Sequence, residues 1–149
     1  MPVKKTKKTT KPVVVKGRKK IEKKVEKKPK STTKKAEPKI LDIIIDAIKE
    51  KKGDYIVSLD LTSIKNSVTN YFVICQANST TQTAAIAESV EDEVKKKLQI
   101  RPYHVEGRQN SEWILIDYAD IVVHIFQPDI RSFYNLEALW ADAKIKKHN

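Results

Sequence analysis

The chain has 149 residues, room for one domain and an appendage, and a formal net charge of +11. That charge is concentrated: residues 1–38 hold 16 Lys/Arg against 3 Glu, a net of +13, and the remainder holds 14 basic against 16 acidic groups, a net of −2. The average therefore does not make the folded part a basic nucleic-acid binder. A single cysteine excludes an internal disulfide framework, and no apolar run has the length of a membrane span or a signal peptide, so the cytoplasm is the default location.

Residues 1–38 form a Lys/Thr/Pro/Val-rich extension without one aromatic residue. Such a composition cannot bury enough apolar surface to offset its ordering entropy, and disorder is expected. Arg18 is its one arginine and it carries three glutamates, a poor fit to a mitochondrial transit peptide. Two readings remain: a solubilising tail, or a salt-sensitive grip on RNA through clustered lysines that neutralise phosphates.

The domain proper is expected over 39–145. Pro38 to Lys52 opens it as an amphipathic helix carrying Ile40, Leu41, Ile44, Ile45 and Ile48, with Gly53 placed to end it. Tyr55 to Leu61 alternates, with Tyr55, Val57, Leu59 and Leu61 on one face, which predicts a half-buried strand. Tyr71 to Ala77 is apolar almost throughout, as a central strand covered on both faces would be. Cys75 lies inside it and reads as a buried structural thiol. Ser79-Thr-Thr-Gln82 matches a capping box, and Ile86, Val90, Val94 and Leu98 follow at helical spacing. A weaker strand is expected within Arg101–Arg108. Strand, helix, strand in this order favours a crossover connection and at least one parallel pair.

Trp113 to Phe126 contains two apolar runs around Asp117-Tyr118-Ala119-Asp120, which predicts a tight β-hairpin. From Asp129, read as an N-cap, the period changes: Ile130, Phe133, Leu136, Trp140 and Ala143 lay one apolar stripe along a single closing helix. This segment holds both tryptophans and most of the aromatic residues. Large aromatics either fill a small core or anchor a partner. Tyr134 falls beside Arg131, off the centre of the stripe, on a flank open to a partner.

Little catalytic chemistry competes with that reading. Asp117 and Asp120 are the nearest carboxylate pair to the aromatic cluster, and with Asp60 they form the candidate set for a nucleotidyltransferase-like enzyme holding Mg²⁺. That chemistry calls for a phosphate-cradling glycine loop, whereas the only glycines are Gly17, Gly53 and Gly107. His104 and His124 have no metal-ligand spacing to each other or to Cys75, and His148 lies at a terminus expected to fray. Neither a metal nor a cofactor is expected.

Glu106-Gly107, the run Trp113–Phe126, and Arg131-x-x-Tyr134-x-Leu136-Glu137-x-Leu139-Trp140-x-Asp142-Ala143 resemble the Iojap family of ribosomal silencing factors. The Tyr71–Ile74 strand, the Asn78-Ser79-Thr80 turn and Ala85-Ile86-Ala87 fit the same pattern, so the likeness runs from about Ile40 to Ala143. This chain departs from it with Asn70 in place of an aspartate, and with Ala77, Ser111 and Ala119 in place of glycines. The resemblance implies a nucleotidyltransferase-like fold of helices on a mixed sheet, without enzyme activity. It implies a translation repressor that binds a large-subunit ribosomal protein at the subunit interface, the fourteenth, and blocks joining of the small subunit. The resemblance also implies a homodimer off the ribosome, and the basic tail would have ribosomal RNA to grip. Trp113, Asp117, Tyr118, Asp120, Arg131 and Tyr134 are then the expected contact residues, the aromatics giving area and the charged groups register.

Overall fold

The computed structural model describes residues 30–149, with side chains from residue 39 onward. Six strands form one sheet against two long helices. In chain order these are α1 (Lys30–Glu50), β1 (Asp54–Asp60), β2 (Tyr71–Gln76), α2 (Thr80–Leu98), β3 (His104–Glu106), β4 (Trp113–Asp117), β5 (Ile121–Phe126), α3 (Pro128–Tyr134), α4 (Leu136–Leu139) and β6 (Lys144–Lys147). The strand order is β3-β4-β5-β2-β1-β6. Only β2 and β5 run parallel, with Tyr71 opposite Ile121 and Gln76 opposite Phe126; the other neighbours are antiparallel. This is the expected mixed sheet with its one parallel pair at the centre.

Alternation assigns each strand residue to a layer. Ile56, Val73, Cys75, Ile114, Ile116, Val123 and Ile125 point to α1 and α2, where Ile44, Ile48, Ile86, Val90 and Val94 meet them, all essentially inaccessible. On the other face Val57, Leu59, Phe72, Ile74, Val122 and Phe126 pack beneath Ile130, Leu136, Trp140 and Ala143. The β1 strand is therefore covered on both faces rather than half-buried: even Ser58 is buried. Its alternation reports two cores, one on each side.

The second helix starts as its sequence requires. Ser79 is extended, its Oγ accepts from the Gln82 amide at 3.0 Å, and Gln82 Oε1 accepts from the Asn78 amide at 2.8 Å. The Gln82 side-chain amide also donates to the Lys51 and Lys52 carbonyls, both at 3.0 Å, which ties the cap to the end of α1. Gly53 follows α1 as expected but for another reason. Lys52 takes the left-handed turn (φ 64°), while Gly53 makes room: a Cβ there would lie 2.4 Å from Ile48 Cγ2.

Four expectations need correction. The first helix begins at Lys30, eight residues before Pro38, since Lys34-Lys35-Ala36-Glu37 are good helix formers. The expectation of disorder for residues 1–29 lies outside the described residues. The closing helix is not continuous: Asn135 adopts a left-handed conformation (φ 45°, ψ 60°) and splits it into two short helices. Its N-cap is Gln127, ahead of Pro128, so Asp129 sits inside the first turn. Finally, the chain beyond Ala143 is not helical or frayed but an edge strand. There the His148 amide donates to the Ile56 carbonyl at 2.9 Å, and His148 Nε2 lies 2.8 Å from Ser58 Oγ.

Candidate docking face

The hairpin forms as expected, with Trp113 opposite Phe126 and Asp117 opposite Val122. The Tyr118 amide donates to the Ile121 carbonyl at 2.9 Å, which closes a loop of the two residues Ala119 and Asp120 with a three-residue turn inside it. The Asp120 amide donates to the Tyr118 carbonyl at 2.9 Å, and Ala119 between them takes φ 76°. Asp117 stabilises this unusual turn: its Oδ1 accepts from the Ala119 amide at 2.7 Å. Alanine at such a φ is strained. Ala119→Gly is therefore expected to raise stability by up to about 1 kcal/mol, part of the relief being offset by the freer unfolded chain, read as an increased urea midpoint at unchanged slope.

That geometry buries two of the expected contact residues. Asp117 is 1% exposed and Tyr118 5% exposed. Asp117 serves the turn, and Tyr118 points into the core under the helices, where burial pushes its hydroxyl pKa up. Neither side chain offers surface to a partner. Periodicity placed them in the right turn but cannot say which way a turn residue faces.

Arg131 is also more structural than expected. Its guanidinium reaches Glu137 Oε2 at 2.5 Å, the Tyr55 carbonyl at 2.9 Å and Gln76 Oε1 at 3.4 Å. One side chain, 12% exposed, thus clamps α3 to α4, the irregular start of β1 and the end of β2. Asp120 remains half-exposed, while its carbonyl accepts from the Asn70 and Tyr71 amides, both at 3.0 Å.

Trp113 and Tyr134 come together, their ring centroids 4.8 Å apart, although they are distant in sequence. Phe126 lies 4.8 Å from Trp113 on the inner side, and Phe133 stands edge-on to Tyr134 at 5.0 Å on the outer side. Phe133, at a position of the apolar stripe, is nevertheless 64% exposed, and Leu139 is 63% exposed. Half-buried Trp113 and Leu115 continue this apolar ridge across β4, and the strand register adds His104 and Glu106 on the same face. The α3–α4 cover leaves this end of the sheet partly open.

Beneath the ridge, Trp113 Nε1 donates to His124 Nδ1 at 3.2 Å, which assigns the remaining ring proton to Nε2. That atom is buried and has no hydrogen-bond partner among the described residues. Burial holds the His124 pKa down to about 3, so the ring is neutral. Cys75 is fully buried, and desolvation pushes its thiol pKa up to about 12, the opposite of an activated nucleophile.

The residues of the enzymatic alternative do not assemble. Asp60 Oδ1 is engaged by the Thr62 amide and hydroxyl at 2.9 and 2.6 Å, and Asp117 by its own turn. Among the described residues no group of three His, Cys, Asp or Glu side chains stands together to hold a metal ion. Nor is any described helix long and apolar enough to cross a membrane.

Fold and site together define a small mixed-sheet α/β domain with one aromatic face left half open. The profile of the family described as "Ribosomal silencing factor during starvation" matches residues 32–149. A ribosomal silencing factor of Bacillus subtilis is 39% identical over 110 residues, covering 73% of this chain and 91% of that protein. The chloroplastic protein Iojap of Zea mays is 39% identical over 75 residues, which span 50% of this chain and 32% of that protein. A crystal structure of a Chromobacterium violaceum protein superposes with a TM-score of 0.66 at 32% identity, over 70% of this chain and 85% of that one. The chain belongs to the ribosomal silencing factor family, whose role is ribosome silencing and the regulation of translation.

Proposed function

We propose that this protein represses translation by occupancy rather than by chemistry. It docks on the large ribosomal subunit, on the fourteenth large-subunit protein at the subunit interface, and prevents the small subunit from joining. The observation that carries this reading is the ridge of Trp113, Tyr134 and Phe133, which leaves large aromatic side chains on the surface. Exposed apolar clusters with polar rims are characteristic of protein–protein interfaces. Strand register puts Glu106 on the same face, and the stretch 106–142 that carries the ridge holds seven Asp/Glu against Arg108 and Arg131, a net of −5, which suits a basic partner. Trp113 and Tyr134 supply the desolvated contact area, Asp120 a charged hydrogen bond from the turn at the far end of the hairpin, and Arg131 holds α3 in place. The factor works in the cytoplasm, with the Lys-rich extension in contact with ribosomal RNA, and pairs as a homodimer when off the ribosome.

Mixing purified subunits in a sucrose gradient tests this. The protein is expected to keep subunits apart when added before the small subunit, and to act through the large subunit alone. Full reassociation in its presence, at saturating protein, would refute the proposal.

A further inference from the structure

The charge of the folded part is uneven along the chain. Residues 106–142 carry a net of −5, so the remainder of 39–149 carries +3, and the edge strand β6 alone contributes three lysines in four residues. Every residue of β6 is exposed. Register fixes where the lysines go: Lys144 opposes Asp60 and Lys146 opposes Ser58, on the helix side of the sheet, while Lys147 opposes Val57 on the other side. The cations therefore fan out on both sides of one edge. Lys49, from the last turn of α1, joins them. Burial, and after it the charges of Lys146 and Lys49, hold the His148 pKa below its ordinary value, with Asp42 opposing, so both lysines act on one ring. Among the described residues none of these four lysines has a carboxylate at ion-pair distance, whereas Lys96 and Lys97 are both paired with Glu93.

The edge is also firmly held. The His148 amide bonds to Ile56, and Asn149 Oδ1 accepts from the Ile56 amide at 2.6 Å, so the lysines project from a fixed strand rather than a loose end. Three strands (β5, β2 and β1) separate β6 from the strand that carries Trp113. A domain docked through its aromatic face thus carries a cationic edge elsewhere on its surface, and the large subunit's most abundant anion is the RNA phosphate.

We propose that Lys144, Lys146, Lys147 and Lys49 form a phosphate-binding edge that lies against ribosomal RNA when the domain is docked, a second contact that rests on the docking reading above. Lysines on an edge strand also discourage edge-to-edge pairing of sheets, and the two roles part in their salt dependence. The test is co-sedimentation of the full chain with purified large subunits over a salt series, compared with the triple variant Lys144→Gln, Lys146→Gln, Lys147→Gln and the matching triple Arg variant. Binding is expected to persist in the Gln variant, with the slope of log affinity against log salt shallower by about 2. The Arg variant should keep the original slope. An unchanged slope in the Gln variant would overturn the proposal and leave the lysines as edge guards. Failure of the unsubstituted chain to pellet at any salt would overturn the docking reading as well.

Discussion

Gly107→Ala is expected to destabilise the domain by about 3 kcal/mol and to weaken its binding to the large subunit with it. Gly107 lies in the left-handed region (φ 93°), and a Cβ there would stand 1.9 Å from the Trp113 carbonyl oxygen and 2.9 Å from its carbon. The obstacle is backbone, so no rotamer change relieves it. Strain and overlap add, and both are relieved only if the β3–β4 loop moves away from the start of β4. That start is Trp113, whose ring lies on Tyr134 and whose indole bonds to His124. The variant should therefore show a lowered urea midpoint and a changed tryptophan emission together. A variant as stable as the parent, with an unshifted spectrum, would show that the loop has room the structure does not give it.

The second large effect is a loss of stability in acid centred on His124. Its folded pKa of about 3 lies far below the ordinary value of 6.5. Between those two values the unfolded chain binds a proton that the folded chain does not. Stability therefore rises with pH through this window and falls as pH is lowered, by about 1.4 kcal/mol per unit from this one group. Between pH 7 and pH 5 the protein should lose about 2 kcal/mol more than a His124→Phe variant. That variant leaves the Trp113 indole N–H without its acceptor and should be less stable throughout, yet flatter in its pH dependence. His148, also shifted down, adds a smaller term of the same sign in both proteins and cancels in the comparison. Parallel pH profiles for the two proteins would remove His124 as the cause.

Much of the fold was legible in the sequence because its signals were local and mutually consistent. The capping box at Ser79, the apolar strand from Tyr71, the hairpin at 117–120 and the three-four spacing of α2 each depend on a few adjacent residues, and each formed as read. What was not legible depended on contacts distant in sequence. The stripe from Ile130 to Ala143 satisfied a helical period, but Asn135 accepts a left-handed conformation, and the Arg131 bridge to Glu137, Tyr55 and Gln76 rewards the break. In the broken arrangement Trp140 meets Phe72 edge-on at 5.7 Å. Strand β6 was missed because Lys-Ile-Lys-Lys has a single apolar residue, and its order comes from pairing with β1.

The candidate face was half legible. Aromatic density pointed to the right segment, and Trp113 and Tyr134 proved to be neighbours. Asp117 and Tyr118 shared that segment but face inward, because turn direction is set by the Ala119 amide bond to Asp117 rather than by pattern. Phe133 fits the period of the stripe, yet its ring stands on the surface, which spacing along one element does not reveal.

Sedimentation of the protein and its Tyr134→Ala variant with purified large and small subunits, at low and high salt, is the most direct test of the docking face. Tyr134 is half-buried, and removing its ring should leave the domain folded, with a cooperative thermal transition. The protein should pellet with large subunits only and remain bound at high salt, while the folded variant loses at least tenfold in affinity, the scale of an interface anchor. Pelleting that high salt abolishes, and that Tyr134→Ala leaves unchanged, would place recognition in the Lys-rich extension and contradict the account.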